Sequence, residues 1–429
     1  MRNYESDAYR KYRSSMEQRQ KVVRTSGSPY SQQTAVQGKG QRAEMSASTK
    51  RKRTREKEKL YYDYDLLLVI IFLMCFGLVM LYSSSAYSAQ NDYNNDMFFF
   101  TRQAIIGIIG FLAMFIVSKI DYHLYGAYAK EFFWFSMFLM ALVQTPLGKT
   151  VNGARRWIRL PGRLSLQPAE FTKIAVILFI AYAICLLGQK AKKWDGIKIL
   201  LFYGIIAFLG AYKLTDNLST AVIILSITVV LIFVVHPKTK PFVTGVIAVG
   251  IVGIIGIIFL KYTLGESDNF RMRRIIAWLN PEANADTDSY QFLQGLYAIG
   301  SGGFFGKGLG NSTQKLHAIP EAQNDMILAV ICEELGVFGA ILVLCLFAFM
   351  LYRLLFIARN APDLYGSLIA TGIFAHIALQ VTLNIAVVTG LMPTTGVTLP
   401  FISYGGTAIV ILLAEMGIAL GISSKIRLK

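Results

Sequence analysis

The chain has 429 residues, of which 54% are hydrophobic, and a mean hydropathy of +0.47. Several uninterrupted apolar runs are long enough to cross a hydrocarbon layer of about 30 Å as helices, and they lack the alternation of barrel strands. Backbone polar groups in lipid must be satisfied within the segment, so this composition excludes a soluble protein and a membrane barrel. It predicts an all-α, polytopic integral membrane protein.

The formal net charge of +17 is unevenly distributed, because residues 1–62 contain 16 Lys and Arg against 6 Asp and Glu. This segment is otherwise rich in Ser, Gln, Thr and Gly, and we predict a disordered basic tail. Its cluster KRKRTREKEK is expected to hold the N-terminus in the cytoplasm, beside anionic lipid. Basic tails also bind nucleic acid, but the membrane setting favours lipid. No cleavable signal peptide is expected, because the first apolar run begins near Leu66.

Apolar runs between charged breaks predict about ten transmembrane helices in a membrane domain that spans residues 63–429. The runs lie near residues 66–82, 104–118, 129–145, 171–187, 197–212, 218–235, 242–261, 326–352, 365–388 and 406–423. With the N-terminus inside, every predicted cytoplasmic link carries Lys or Arg, as the positive-inside tendency expects. Both termini are therefore predicted to be cytoplasmic.

The four cysteines all lie inside apolar runs: Cys75, Cys185, Cys332 and Cys345. They have neither a CxxC spacing nor a nearby pair of histidines. We predict that they are small core hydrophobes rather than disulfide partners or metal ligands.

Two predicted outward links are unexpectedly basic. The link 148–170 contains one acid, Glu170, and five basic residues: Lys149, Arg155, Arg156, Arg159 and Arg163. The link 262–325 contains the run FRMRR, with Arg271, Arg273 and Arg274. Either the topology differs, or these guanidinium groups are retained for a ligand. Moving one span would place basic inward links outside, so we prefer the ligand interpretation.

The long outward link 262–325, between the seventh and eighth runs, is also rich in glycine. Loops of this length are commonly functional. Its stretch IGSGGFFGKGLG does not complete a G-x-x-x-x-G-K-[ST] phosphate loop, and no strand precedes it. A nucleotide site is therefore not expected. We expect a flexible or re-entrant segment at the membrane surface.

The link ends in IPEAQNDMILAVICEELG, which leads acidic residues into the eighth run. Pro320 predicts a helix start, with Glu321 and Asp325 on one face of its first turns. Counting back about 20 residues from Arg353 places Glu333 near the outer surface and Asp325 in a wet outer cavity. The alternative is that Asp325 only caps the helix and that the glutamates only anchor it at the interface.

More polar residues are predicted on the same side of the membrane. Glu170 and Lys173 form an expected i,i+3 pair at the start of the fourth run, and Asp216 lies between the fifth and sixth. The segment 390–408, broken by Pro and Gly, is expected either to line a cavity or to form a structural re-entrant turn. Together with Trp157, these acids and arginines suit a substrate that is both anionic and sugar-like.

Four separated blocks resemble the signature blocks of the SEDS family: NGARRWI (152–158), QPAEFTK (167–173), PEAQND followed by ILAVICEELG (320–336), and LPFISYGG (399–406). This family includes FtsW, RodA and SpoVE, ten-span enzymes of bacterial wall synthesis. The resemblance extends from about Leu66 to the end of the chain. One departure is KLTDNLSTA, which stands where relatives commonly have Gln-Pro-Asp-Leu-Gly-Thr-Ala; it keeps the acid, Asp216, but loses the proline and the glycine.

The resemblance implies a peptidoglycan glycosyltransferase that polymerises lipid II into undecaprenyl-diphosphate-linked glycan at the outer face of the bacterial cytoplasmic (inner) membrane. It also implies a class B penicillin-binding transpeptidase as partner and no nucleic acid. The family's essential acid falls on Asp325, which is expected to be the general base. The residues expected to bind substrate are Arg155, Arg156, Trp157, Gln167, Glu170, Lys173, Asp216, Arg271, Arg274, Glu321, Gln323 and Ser403.

The implied chemistry needs one base, because a lipid diphosphate leaves as an anion without being protonated by a carboxylic acid. A divalent cation, Mg or Mn, could share the stabilisation of the leaving group, although the sequence shows no closed ligand set for one and no cofactor is certain. Two rival interpretations stay open: a lipid II flippase, to which charged groups between broken helices would also be suited, and a scaffold that only recruits an enzyme.

Overall fold

The computed structural model describes residues 60–151, 154–159, 165–263, 270–282, 289–316, 319 and 321–427. The fold is predominantly helical with short strands, which confirms the predicted class. Residues 1–59 of the predicted tail lie outside the described part of the chain. The last residues of that predicted tail are not irregular, because Leu60–Tyr61 form a strand.

The described residues form thirteen α-helices in chain order: α1 (Tyr64–Tyr93), α2 (Phe98–Lys119), α3 (Tyr122–Ala127), α4 (Ala129–Leu142), α5 (Pro168–Leu187), α6 (Trp194–Leu209), α7 (Leu218–Val235), α8 (Lys240–Thr263), α9 (Phe270–Leu279), α10 (Tyr290–Gly302), α11 (Ile327–Asn360), α12 (Leu364–Val388) and α13 (Thr407–Ser423). The strands are β1 (Leu60–Tyr61), β2 (Gly148–Val151), β3 (Ala154–Arg159), β4 (Ser165–Leu166) and β5 (Ile426–Arg427). All ten predicted apolar runs are helical, in α1, α2, α4–α8 and α11–α13.

Seven helices in the described part of the chain are long and apolar enough to cross a membrane: α1, α2, α5, α6, α7, α11 and α12. Helix α13 is apolar but shorter, with 17 residues, and α4 has 14. The count of ten spans thus remains a prediction, supported by the helicity of all ten runs. The prediction that every cysteine is in the core is wrong for Cys75 and Cys345, which are exposed on apolar helix faces.

Helix α5 lies at the centre of the bundle, and 72% of its membrane-length stretch is buried inside the protein. It packs against α4, α7 and α12, and the rings of Phe133 on α4 and Phe179 on α5 lie 4.7 Å apart. The neighbouring helices expose large apolar side chains on their outer faces. Burial of α5 on all sides explains why its sequence is apolar without helical periodicity.

The two ends of the described chain meet at one end of the bundle. Strands β1 and β5 pair antiparallel, with Leu60 opposite Arg427. The Asp63 carboxylate caps α1 and accepts a hydrogen bond from the Arg353 guanidinium at 3.0 Å, near the end of α11. The backbone amide of Asp63 donates to Ser423 Oγ at 3.2 Å. The two ends of the described chain therefore lie at the same end of the bundle, and the cytoplasmic location of the termini stays a prediction.

The opposite end of the bundle carries the irregular elements. Strands β2, β3 and β4 form a three-stranded antiparallel sheet between α4 and α5, with Lys149 opposite Trp157 and Ile158 opposite Leu166. Helices α9 and α10 and the broken segment 390–406 lie at the same end. Six of the twelve residues predicted to bind substrate belong to these elements: Arg155, Arg156, Trp157, Arg271, Arg274 and Ser403.

The helix predicted to start at Pro320 starts later. Pro320 lies outside the described residues, residues 321–326 form turns, and α11 begins at Ile327. Glu321 has a left-handed backbone with φ of +49°, so the prediction that it shares a helical face with Asp325 is wrong. The physical reason is a tertiary contact, because the Tyr404 amide donates to the carbonyl of Gln323 at 2.9 Å and holds these residues in turns.

Candidate active site

The Asp325 carboxylate and the Arg156 guanidinium approach the same point of the 390–406 segment. A Cβ atom placed on Gly396 would lie 4.0 Å from Asp325 Oδ2 and 3.7 Å from Arg156 Nη1. Gly396 has a φ of +71°, which non-glycine residues rarely adopt, so both charged groups reach bare backbone here. Arg156 Nη2 also donates to the carbonyl of Asp216 at 3.3 Å. The predicted base and a predicted anion-binding group therefore share one site.

Arg274 on α9 brings a second positive charge to this site. Its Nη1 donates to the Thr394 carbonyl at 3.2 Å, and its charge acts on Asp325. Helix α9 is docked by Trp278, whose Nε1 donates to the Gly390 carbonyl at 2.8 Å. The broken segment thus serves as a backbone platform that fixes a guanidinium group from a distant part of the chain.

Asp325 itself is half-buried and does not cap α11, since the cap residue is Met326 and its side chain makes no capping bond. Asn384 on α12 donates from Nδ2 to the carbonyls of Asp325 and Val397, at 2.9 and 2.8 Å. Gln291 on α10 lies near the carboxylate, with 3.4 Å between its Nε2 and Asp325 Oδ1. The helix-cap alternative therefore fails, and Asp325 is positioned by residues from two other helices.

Gln291 and Asn384 were not predicted as site residues. Asn384 belongs to a polar stripe on α12 formed by His376, Gln380 and Asn384, each four residues from the next. This spacing places the three side chains on one face of an otherwise apolar helix. Polar residues inside a membrane helix mark functional or packing sites, so this spacing in the sequence already indicated that Asn384 is a candidate site residue. Gln291 shows no comparable pattern.

The polar stripe connects to Lys173 on α5. Gln380 Oε1 accepts from Lys173 Nζ at 2.9 Å and lies 2.9 Å from His376 Nε2, while His376 Nδ1 lies 2.9 Å from the Glu415 carboxylate. Lys173 is only 1% exposed and contacts the Glu170 carboxylate at 2.8 Å, which confirms the predicted i,i+3 pair. The charge of Lys173 is thus balanced inside the protein.

Arg155 and Ser403, predicted to bind substrate, contact backbone in this structure. The Arg155 guanidinium donates to the Thr145 carbonyl and holds the β2–β3 hairpin on the end of α4. Ser403 is 2% exposed, and its Oγ accepts from the Leu399 amide at 2.8 Å. Both side chains stabilise the walls of the site.

The remaining predicted residues surround the site less directly. Glu321 is exposed and accepts from Asn324 Nδ2 at 2.9 Å, whereas Gln323 is buried beside the 399–406 segment. Gln167 and Trp157 are half-buried, at the start of α5 and in β3. The side chain of Arg271 lies outside the described part of the structure, so its predicted role remains a prediction.

Comparison with known proteins decides the family. A family model for FtsW, RodA and SpoVE, described as "Cell cycle protein", matches residues 64–428. The chain belongs to the SEDS family. It is 40% identical over 358 residues to stage V sporulation protein E of Bacillus subtilis, which covers 82% of this chain and 94% of that protein. It is 36% identical over 360 residues to the probable peptidoglycan glycosyltransferase FtsW of Geobacter sp. strain M18, covering 83% and 95%.

The fold of this SEDS protein is also similar to that of a chain in a solved peptidoglycan synthase complex. The TM-score is 0.69, the sequence identity is 24%, and the match covers 84% of this chain and 97% of that one.

Burial raises the pKa of Asp325 in this SEDS protein above its usual value. The positive charge of Arg274 and the hydrogen bond from Gln291 act in the opposite direction, and the negative charge of Glu321 reinforces the increase. A base with a raised pKa holds a proton more strongly than an ordinary aspartate. This electrostatic environment is suited to accepting a proton from a hydroxyl group.

Within the described residues, no group of three His, Cys, Asp or Glu side chains is arranged to hold a metal ion. The Asp325 carboxylate offers oxygen atoms, which are the ligands that Mg²⁺ prefers. The divalent cation considered from the sequence would therefore depend on ligands from the substrate phosphates.

Proposed function

We propose that this SEDS protein is a peptidoglycan glycosyltransferase that polymerises lipid II at the outer face of the bacterial cytoplasmic membrane, with Asp325 as its general base. The observation that carries the proposal is the approach of Asp325 and Arg156 to the same glycine, Gly396. A proton acceptor and a cation at this separation suit a substrate with a hydroxyl group at one end and a diphosphate at the other.

In the proposed reaction, the acceptor hydroxyl oxygen attacks the anomeric carbon of the donor sugar as its proton passes to Asp325. The bond between that carbon and the diphosphate oxygen breaks, and the lipid diphosphate leaves with the electron pair. Arg156 and Arg274 stabilise the negative charge that develops on the leaving group. No carboxylic acid is needed for this departure, in contrast to the two-carboxylate glycosidases.

The other predicted residues take supporting roles in this proposal. Lys173 and Glu170 form an ion pair at the start of α5, in the wall of the site. This ion pair must open before Lys173 can contact a phosphate. Arg155 holds the hairpin that presents Arg156. Asn384 fixes the backbone of Asp325 relative to the 390–406 platform.

We propose the topology and partner that the sequence suggests. Both termini are cytoplasmic. Strand β1 follows the basic tail in the sequence and pairs with β5 near the C-terminus, and basic segments favour the cytoplasmic side. The partner is a class B penicillin-binding transpeptidase, as the resemblance implies, and the lipid-linked glycan product remains in the membrane. Nucleic acid is not a partner.

The proposal is tested with the purified full-length protein and purified lipid II in detergent or vesicles. Glycan strands longer than the disaccharide unit are expected on gels, with release of undecaprenyl diphosphate, and addition of the transpeptidase partner is expected to increase the rate. Movement of lipid II across vesicles without any polymer would instead identify a flippase. Absence of both activities with and without the partner would identify a scaffold.

The acid limb of the pH–rate profile is expected to depend on the charges around Asp325. A base acts in its ionised form, so activity falls as pH decreases through the pKa of Asp325. Arg274→Gln removes a charge that lowers this pKa and moves the acid limb to higher pH, whereas Glu321→Gln removes a charge that raises it and moves the limb to lower pH. The measurement is kcat/KM for lipid II against pH. Shifts of the same sign in both variants would contradict the assignment of the limb to Asp325.

A further inference from the structure

The glycine-rich stretch predicted from the sequence contains a tight turn that the proposed chemistry does not use. We call residues 303–308 the aromatic turn, because Phe304 and Phe305 lie at its tip. It packs against a break in α11 at Gly336, where φ is +67° and the helix is interrupted. A Cβ on Gly336 would lie 2.3 Å from the carbonyl oxygen of Phe304, so only glycine allows this contact.

The aromatic turn and the break in α11 satisfy each other's backbone groups. Four hydrogen bonds of 2.9 to 3.1 Å connect them, from the amides of Val337, Phe338, Lys307 and Gly308 to the carbonyls of Gly303, Phe304, Glu333 and Glu334, respectively. Irregular backbone at membrane depth is tolerated only where such groups have partners in the protein. The turn therefore meets the condition for lying within the hydrocarbon layer.

Two buried carboxylates hold the segment in place. Glu333 contacts Lys307 Nζ at 2.6 Å, and Glu334 contacts Lys315 Nζ at 2.7 Å and Ser83 Oγ on α1 at 2.7 Å. Both glutamates are 0% exposed. The turn is thus fixed at one height relative to α1 and α11.

Counting along two helices from Asp63, taken as the inner boundary of the hydrocarbon layer, gives that height. On α1, Ser83 lies 20 residues beyond Asp63, or about 30 Å, so the Ser83–Glu334 contact lies at the outer boundary of the layer. On α11, Phe338 is 15 residues from Arg353, which contacts Asp63, so it lies about 22 Å above the same inner level. Phe304 is bonded to Phe338 and therefore lies below the outer boundary.

The tip of the turn is exposed and apolar. Phe304 is 58% and Phe305 80% exposed, and this surface continues into the exposed face of α11 formed by Val337, Phe338, Ile341, Leu342, Phe349 and Tyr352. These α11 residues follow helical spacing along a membrane-spanning helix, so they face lipid. The exposed phenylalanines extend the same lipid-facing surface.

We propose that the aromatic turn is a re-entrant anchor inserted among the acyl chains of the outer leaflet. Through Lys307, Lys315 and the two glutamates, it fixes the height of the chain that continues to Asp325. The occupant is lipid hydrocarbon because the turn is continuous with the lipid-facing side of α11 and lies below the polar boundary. This proposal does not depend on the catalytic role of Asp325.

The test uses the full-length protein with its four cysteines replaced by serine, a single spin-labelled cysteine, and vesicles of phosphatidylcholine and phosphatidylglycerol. A label on Phe305→Cys is expected to collide several-fold more often with O₂ than with a water-soluble nickel chelate, and a label on the lipid-facing Phe349→Cys is expected to do the same. The matched control is Asn311→Cys in the same loop, which is exposed and polar and is expected to favour the chelate.

A label at 305 that behaves like the label at 311 would overturn the proposal, and so would one shielded from both reagents, which would indicate protein packing. Because replacement of Cys332 could disturb α11, a second measurement keeps all native cysteines. Phe305→Trp is expected to add fluorescence that brominated acyl chains quench, whereas the fluorescence added by Asn311→Trp is expected to remain. Equal quenching of the two additions would also overturn the proposal.

Discussion

Asp325→Asn is expected to reduce the kcat of lipid II polymerisation by about 10²- to 10⁴-fold, the usual contribution of a general base. Asparagine has nearly the same size as aspartate and leaves the backbone contact of Asn384 with residue 325 unchanged. It cannot accept the hydroxyl proton in the way a carboxylate does. The measurement is the single-turnover rate of glycan synthesis with saturating lipid II, which separates loss of chemistry from loss of binding.

The matched control is Glu282→Gln, which neutralises an exposed acid in the same long link, outside the site. It is expected to polymerise lipid II at nearly the wild-type rate. The Asp325→Asn protein should retain the thermal stability of the wild type, because the asparagine Oδ1 still accepts from Gln291 and the change removes a carboxylate whose charged form is disfavoured by burial. Retention of more than about a tenth of the wild-type rate would remove Asp325 from the role of base.

Adjacent residues in β3 show what the sequence could determine at this site. Both Arg155 and Arg156 were predicted to bind substrate. Neighbouring side chains on a strand point to opposite faces, so one face of β3 holds the hairpin on α4 and the other approaches Asp325. The alternation follows from sequence, but the choice of face depends on how the hairpin docks, which the sequence alone does not determine.

The helices were predictable because ten apolar runs separated by charged breaks carry the signal themselves. The start and the break of α11 were not predictable, because both depend on contacts across the chain. The Tyr404 amide holds Gln323 in a turn, and the aromatic turn stabilises the interruption at Gly336. A glycine permits such a break without requiring one, since Gly339 in the same helix keeps helical geometry.

The two glutamates of α11 were predicted either to face the outer cavity or to anchor the interface. Instead, they are buried and bind a loop that approaches from elsewhere in the chain. A carboxylate near a membrane boundary is compatible with many roles, and the lysines that pair with it are 26 and 19 residues away. Their pairing became apparent only from the folded arrangement of the loop.

Glu333→Ala is expected to destabilise the protein by about 1 to 3 kcal/mol, because the buried carboxylate is lost while water can still hydrate its exposed partner, Lys307. The Glu333 carboxylate accepts hydrogen bonds from Lys307, from the amide and hydroxyl of Thr313, and from Ser312. Alanine would leave the buried Ser312 hydroxyl without this acceptor, whereas water can reach the exposed Lys307 and Thr313. The measurement is the unfolding temperature in detergent, where a decrease is expected.

Glu333→Gln is the matched variant, because the amide oxygen still accepts hydrogen bonds while the charge is lost, and a smaller decrease is expected. Lys307→Met combined with Glu333→Ala should recover little of the lost stability, since the exposed Lys307 ammonium group is hydrated when its partner is absent. The same substitutions release the aromatic turn, so a spin label at residue 305 should become more mobile as the unfolding temperature falls. An unchanged unfolding temperature in Glu333→Ala would mean that the loop is held by backbone bonds alone.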